Sequence, residues 1–358
     1  MDVFVLDENF NTVAVIDDYI SLIWTERYSE YGDFELYTLA TIELLQILKK
    51  DRYLAISESD RVMIIDDIKL ETDIEDGVFL TVTGKSLESI LERRIIWGQR
   101  TIKNNLQFSI KALLNENIIR PVDGERRIDN FVFEESNDEV FVDLELGAQF
   151  MGDNLYDVIR ALCEATGIGF KIVLNAANQF VFSLYAGKDR TYSQNDYPYV
   201  VFSPEFDNLL SSDFRDTNKA LKNAAFVVGE ELEDGSGNRT RSVGDGVGLS
   251  RREIFVDAKG VSSKTEDGEV LPDSDYNKLL DQEGQNRLAE CIEVSTFTAN
   301  VDYSRMFKYG EHYFMGDVVQ IANEFDIEGT ARVTELIRSH SETGLDIYPT
   351  FIMIEKEE

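Results

Sequence analysis

Residues 16–39, IDDYISLIWTERYSEYGDFELYTL, carry a clear period-two alternation of side chains. Leu22, Trp24, Glu26 and Tyr28 fall on one side of an extended ribbon, and Ile23, Thr25 and Arg27 on the other, because successive strand residues point to opposite faces. A second run puts Phe34, Leu36 and Thr38 on one side and Glu35, Tyr37 and Leu39 on the other, with Ser29, Glu30, Gly32 and Asp33 supplying turn chemistry between the runs. The spacing predicts a hairpin. Both faces mix apolar and polar groups, whereas the free face of an outer strand in a monomer is expected to be polar throughout, so each face is expected to meet protein.

Around this hairpin the pattern predicts a strand-rich first unit: a short hairpin at 3–6 and 13–16, and strands at 53–57, 61–72 and 78–84. A short helix is expected at 41–50, with Ile42, Leu45 and Leu48 on one stripe and Leu44 beside it, and another at 86–94. Six or seven strands with little helix point to a small barrel or sandwich. From residue 97 to about 203 the texture changes. Helices are expected at 105–117 and 154–166, the second stopped by Gly167, with a polar segment at 121–139 between them and a hairpin of 170–174 with 180–185 after them. The last third returns to strands at 224–231, 294–302, 318–323, 330–341 and 345–354, with a helix at 274–291 and a glycine-rich stretch, 233–248, read as a mobile loop. Its final three strands repeat the short, long, final order of 53–84, a hint of internal duplication without sequence identity. The expected fold is therefore mainly β with an α+β insert: two β-barrel domains, 1–98 and 206–358, flanking an inserted mixed region, 99–205.

Composition narrows the function. The chain has 358 residues, 43% hydrophobic and 29% charged, the balance of a globular protein with two or three cores. No apolar run is long enough to span a bilayer and the N-terminus is acidic, so neither membrane insertion nor a secretory signal is expected. Cys163 and Cys291 fit apolar helix positions and read as buried free thiols. Lys plus Arg is 35 against Asp plus Glu 68, a net charge of −33, which repels phosphate and argues against ordinary nucleic-acid binding. The pairs Arg93-Arg94, Arg126-Arg127 and Arg251-Arg252 sit among acids and read as a solvated face or as ion-pair partners.

Candidate chemistry is sparse. Glycan hydrolysis needs two carboxylates about 5–10 Å apart, but Glu134, Glu135, Asp138 and Glu139 occupy a polar segment with no apolar pocket. Glu26 shares a face with Trp24 and Tyr28, and pairing with an arginine such as Arg27 of a neighbouring chain, or with solvent, is favoured over acid catalysis. His312 and His340 are the two histidines, without HExxH or paired cysteines, so no zinc site is expected. ETDIEDG at 71–77 lacks the full calcium loop and reads as a turn. Neither a phosphate loop nor a GxSxG elbow occurs. No catalytic residue, cofactor or metal is expected.

The run at 16–37 resembles the N-terminal signature of siphophage tail-hub proteins, the ring-forming part of tail-associated lysins. Further matches follow in order: TGKSLESILERRI at 83–95, LYAGKDRTYS at 184–193, RREIFVDAKGV at 251–261 and YFMGDVVQI at 313–321. The first and last are the most specific, and together they cover most of the chain. The resemblance implies a homotrimer in which two tail-tube-like barrels per chain build a pseudo-sixfold ring, capping a sixfold tube. It makes Trp24, Arg27, Tyr28, Gly32, Asp33, Gly316 and Asp317 the family-signature structural positions. Implied partners are the distal tail protein, the tail tube protein, the tape measure protein and tip or fibre proteins, with DNA only in transit through an acidic channel. The implied location is the virion tail tip, after synthesis and assembly in the host cytoplasm. Many relatives continue into a fibre or lysin, whereas this chain stops at Glu358, so wall digestion and receptor binding are expected of other proteins. Two other classes remain open from the residues alone: a peptidoglycan-degrading tail-associated hydrolase and a carbohydrate-binding receptor module.

Overall fold

In the computed structural model the described residues are 1–358 apart from 74–76, 103–104, 143, 145–146, 233–234, 266–268, 302–305, 323–324, 326–327 and 355–358. The alternation at 16–39 becomes the antiparallel pair Ser21–Arg27 and Asp33–Leu39, with Trp24 opposite Phe34. Leu22, Trp24 and Leu36 are wholly buried and Phe34 nearly so; each such side chain contributes about 1.5–3 kcal/mol over its exposed state. One of the two mixed faces is covered, and by this chain itself, whereas the other leaves Ile23, Glu35 and Leu39 exposed in a single chain.

These two strands sit in the middle of a thirteen-stranded sheet. From one edge the order is Leu209–Thr217, Val294–Val301, Gly344–Ile354, Glu328–Ser341, Ser21–Arg27, Asp33–Leu39, Gly77–Ser86, Val62–Asp73, Tyr53–Ile56, Val3–Leu6 and Thr12–Ile16. Val318–Ala322 pairs with the near half of Glu328–Ser341, and Val201–Phe202 pairs with Val318–Ala322. The chain is mainly β, as expected. Two separate barrels are replaced by one continuous sheet, because Glu328–Ser341 is long enough to pair with Val318–Ala322 over one half and with Ser21–Arg27 over the other. No pairing among the described residues closes either half. Separate apolar clusters fill the two halves, one around Trp24, Leu54 and Met63, the other around Phe202, Phe297 and Phe351.

The duplication hinted at by strand lengths extends to register. In the first half the row Trp24, Phe34, Gly84, Ile65 runs directly across four strands. In the second half the corresponding row is Phe214, Phe297, Phe351, Val333. Both long strands carry a bulge at the same point, between Ile65 and Asp67 and between Val333 and Glu335. Each bulge lies just past the residues that pair with the short strand, where Tyr53 faces Ile64 and Val318 faces Arg332. A Cβ on Gly84 would collide with the Ile64 carbonyl oxygen and with the Phe34 ring, so this position of the row has no room for a side chain. The modules differ in their first connection: residues 28–32 make a tight turn, whereas 218–293 form an added unit.

That unit replaces the expected mobile loop. Ala224–Glu231 is flanked by Asn238–Gly244 and Glu253–Asp257, with Asp273–Ala289 packed across them. Positive-φ glycines at 235, 237, 244, 246 and 248 misled the loop assignment: they bracket a strand of seven residues. Their φ values suit turns on either side of it. The unit has its own apolar cluster, including Val227, Val256, Tyr276 and Leu280. Cys291 lies beyond the end of its helix and is half-buried, not buried on the helix as expected, whereas Cys163 is fully buried.

Between the modules, helices Leu106–Leu114 and Leu155–Thr166 pack with the hairpin Gly169–Leu174 and Phe180–Tyr185. Asn154 caps the second helix by accepting from Tyr156 N at 2.9 Å, and Gly167 ends it at φ +66. The polar segment 121–139 contains a strand, Phe131–Glu134, parallel to Phe180–Tyr185. Its apolar alternation is short and its neighbours polar, which hid it. The expected helix at 86–94 is a 3₁₀ helix, Leu87–Arg93. Its Leu87, Ile90 and Leu91 share one cluster with Leu106, Ile159 and Phe170, so residues 1–98 and 99–205 are packed through a common core.

Candidate functional site

Four of the five sequence matches converge on a single place, the seam where Ser21–Arg27 meets Glu328–Ser341 with the helical region packed beside it. Tyr28 leaves the end of its strand and continues the ladder, donating its N–H to Thr334 O at 2.9 Å. Its ring lies against Gly169 and Gly316, where a Cβ on either would collide with it. Its hydroxyl donates toward Gly167 O at 3.1 Å and accepts from Gly187 N at 3.4 Å. Burial raises the pKa of this phenol, opposed by the Arg332 guanidinium 5.4 Å from the ring centre. One tyrosine therefore pins the first module, the helical region and the second module together.

Gly316 and Asp317 form the opposite jaw. Gly316 has φ +90, a backbone region where a side chain is strained, and donates to Val333 O at 2.8 Å. The Asp317 carboxylate accepts from Lys188 N at 2.7 Å and Phe314 N at 3.0 Å and pairs with Arg190 Nε. Both charged residues are buried. Turn chemistry was the expectation for Asp317; it also clamps the LYAGKDRTYS segment.

Arg27 is held within the chain. Its Nη1 donates to Asp33 Oδ2 at 2.5 Å and to Tyr31 O at 3.1 Å, and its Nε donates to Glu335 Oε2 at 2.7 Å. Gly32 allows the turn to close, because a Cβ there would meet the Thr25 carbonyl; its N–H donates to Ser86 Oγ at 2.7 Å, which brings in the TGKSLESILERRI match. Trp24 fills the core of the first module, with its indole N–H unpartnered among the described residues. The RREIFVDAKGV match lies apart, in the added unit.

Glu26, the most suggestive acid in the sequence, pairs with Arg338 of its own chain and accepts from Ser59 Oγ at 2.6 Å. The expectation of Arg27 from a neighbour, or solvent, is corrected: both Glu26 and Arg338 are about 5% exposed, and a buried carboxylate needs a fixed cation. A second pair, Arg61 with Glu88, is also buried. Burial alone would lower the Arg61 pKa, and Glu88 more than offsets it. Glu88 Oε1 also accepts from Ile172 N at 3.0 Å, and Arg61 Nη2 reaches the Tyr185 hydroxyl at 3.4 Å. Arg338, Arg190, Arg61 and Glu88 were missed as partners, although Arg338 alternates with Leu336 on an inward face, which is a readable signal.

The remaining candidates stand in local roles. His312 accepts from Lys308 N at 3.0 Å within its turn, and His340 faces Tyr19. Glu135 is exposed and pairs with Lys111. Of the 71–77 segment, residues 74–76 lie outside the described residues. Among the described residues no three His, Cys, Asp or Glu side chains are grouped to hold a metal ion, and no helix is long and apolar enough to cross a membrane. A groove of about 1040 Å³ lies between Leu155–Thr166, the helix of the added unit and the second half of the sheet. It is lined by Arg27, Glu283, Arg287, Glu290 and Arg332 among others.

This architecture recurs in solved tail proteins. The 43 kDa tail protein of prophage MuSo2 from Shewanella oneidensis aligns with 99% of this chain and 98% of its own, at 12% identity and a TM-score of 0.59. A tail protein from Neisseria meningitidis gives 99% and 96%, 13% identity and 0.57. Prophage tail protein gp18 of Listeria monocytogenes gives 100% and 96%, 12% identity and 0.51. At such identities the likeness is one of fold. No protein with a curated description matches the sequence. A family model described as Siphovirus ReqiPepy6 Gp37-like protein matches residues 2–351. Over nearly its whole length, then, the chain belongs to the siphovirus ReqiPepy6 Gp37-like family of phage tail proteins.

Proposed function

We propose that the chain is a structural tail hub: a homotrimer whose six strand modules form a pseudo-sixfold ring between the tail tube and the tail tip. The observation that carries this reading is the register-matched duplication, Trp24-Phe34-Gly84-Ile65 against Phe214-Phe297-Phe351-Val333. A chain with two like modules presents six like surfaces from three copies, which matches a sixfold tube. In this reading 1–98 and 206–358 supply the modules and 99–205 braces them, with Trp24, Arg27, Tyr28, Gly32, Asp33, Gly316 and Asp317 setting their relative placement.

The sheet face opposite the two module cores would line the channel. It carries Asp33, Glu35, Asp67, Glu71, Asp213 and Glu335 beside Lys69, Lys85 and Arg215, with Arg27 engaged by two of the acids. A lining of this kind, in a chain of net charge −33, would let DNA pass without holding it. The neighbours in the particle would be the distal tail, tail tube and tape measure proteins and tip or fibre proteins, and the chain would have no catalytic role of its own. Light scattering on the purified chain tests the stoichiometry: three copies are expected at micromolar concentration, and a monomer at every concentration overturns the reading.

A further inference from the structure

The groove between Leu155–Thr166, Asp273–Ala289 and the second half of the sheet combines three features that water alone does not satisfy. Apolar side chains stand open to it: Phe255 is 60% and Ile292 53% exposed, and Ile352 and Ile354, on the sheet face opposite the core, are each 37% exposed. Its volume of about 1040 Å³ is that of a ligand site. The lining is also acidic. Six acids, among them Glu164, Glu283 and Glu290, face three arginines, and the arginines are already engaged. Arg27 is held by Asp33 and Glu335, Arg287 by Glu290, and Arg332 donates to Gly316 O at 3.0 Å. Glu283 makes no hydrogen bond or ion pair among the described residues, although burial and the neighbouring Asp153 and Glu290 disfavour its charge. Finally, the strand Glu253–Asp257 meets the groove edge-on, since the successive residues Phe255, Val256 and Asp257 all border it. Among the described residues that strand pairs only with Ala224–Glu231, so its other edge takes no partner.

We propose that this groove docks an extended, basic and apolar segment of a partner protein, laid along Glu253–Asp257 with apolar side chains against Phe255, Ile352 and Ile354 and a lysine or arginine beside Glu283. Each property of the segment answers one feature of the groove. The open edge offers main-chain hydrogen bonds, which a peptide accepts and a small amine does not. The exposed phenylalanine and isoleucines gain by leaving water. A cation beside Glu283 supplies the partner that a half-buried carboxylate needs. The chain's own continuation is a poor match, because the sequence after Ile354 runs Glu-Lys-Glu-Glu and carries the same sign as the groove. Nucleic acid is repelled on the same ground, and an uncharged glycan would leave Glu283 without a cation. The groove is formed within a single chain, so this inference does not rest on the ring reading.

Fluorescence anisotropy with the full chain tests it, using a labelled peptide of five Leu-Lys repeats in salt of about 0.15 M, where loose surface attraction is screened. Affinity is expected to fall about tenfold or more with Phe255→Ala, which removes an exposed ring, and with Glu283→Lys. Glu43→Lys, an equal charge change on the exposed face of Ile42–Ile47, is expected to change it about twofold at most. Five Ser-Lys repeats, and the Leu-Lys peptide methylated on its lysine amides, are expected to bind about tenfold more weakly or worse, since one lacks the apolar contacts and the other the strand donors. Circular dichroism melts of the three variants establish that each is folded. Equal losses at Glu283 and Glu43, or equal binding of the Ser-Lys peptide, reduce the contact to net charge and overturn the proposal. Undiminished binding of the methylated peptide, no binding of the Leu-Lys peptide at about 1 mM, or binding of a labelled single-stranded DNA that Phe255→Ala abolishes would each overturn it as well.

Discussion

At the residue scale the seam is built from groups that cannot be exchanged singly. Glu26 and Arg338 are buried against each other, so Arg338→Met leaves an uncompensated carboxylate and is expected to cost about 3–5 kcal/mol, while Glu26→Leu with Arg338→Met recovers most of it. Urea midpoints of the three chains check this; a single variant within 1 kcal/mol of wild type, on the same principle, contradicts the burial of the pair. Gly316 and Gly310 offer a cleaner contrast. Both have positive φ, +90 and +84, but only at Gly316 would a Cβ meet the Tyr28 ring, while Gly310 faces open space. Gly310→Ala is expected to cost about 1 kcal/mol, and Gly316→Ala about 3 kcal/mol, from strain plus overpacking. Equal thermal shifts for the two would remove Tyr28 from its role as the pin. The signature residues were visible in the sequence as types in a spacing. What they touch was not, because Tyr28 finds Gly169, Gly187 and Gly316 only when segments far apart in the chain are folded together.

At the element scale, strands with clean alternation were legible, and 21–27, 33–39, 318–322 and 344–354 emerged close to their expected bounds. Elements went unread where local chemistry pointed elsewhere. Asn238–Gly244 hides among glycines, Phe131–Glu134 among charges, and Leu209–Thr217 carries six polar residues with Leu210 exposed. The last of these lies at one end of the sheet among the described residues. The added unit, 218–293, occupies the position of the tight turn at 28–32 in the other module, and Thr217 sits directly opposite Val294. A two-residue Asn-Gly turn fits that spacing. Replacing 218–293 by Asn-Gly is expected to leave a cooperatively melting chain with Tm within about 10 °C of the parent, since a loss of a few kcal/mol moves Tm by that order in a chain of this size. Loss of the cooperative transition in circular dichroism would show that the unit is integral to the second module.

At the scale of the whole molecule, charge and duplication act together. With a net charge of −33 the chain repels itself. Glu283 is held above the ordinary glutamate value of 4.5, first by burial and then by Asp153 and Glu290. A carboxyl whose folded pKa is raised binds its proton more readily when folded, so stability is greatest below the unfolded value and falls as pH rises through the folded one. Lowering the pH from 7.5 toward 5 is therefore expected to raise Tm, and Glu283→Gln is expected to flatten that rise; identical pH profiles would exclude Glu283 as a contributor. Fold class and the repeat's outline could be read from strand lengths, whereas the continuous sheet could not, because it depends on one long strand serving three neighbours.

The central claim is that two copies of one strand module per chain close, three chains together, into a ring. Class averages of the purified chain by electron microscopy test it most directly. The account predicts annular particles with threefold symmetry and six similar lobes around an open bore. Solitary particles of single-chain size would contradict it.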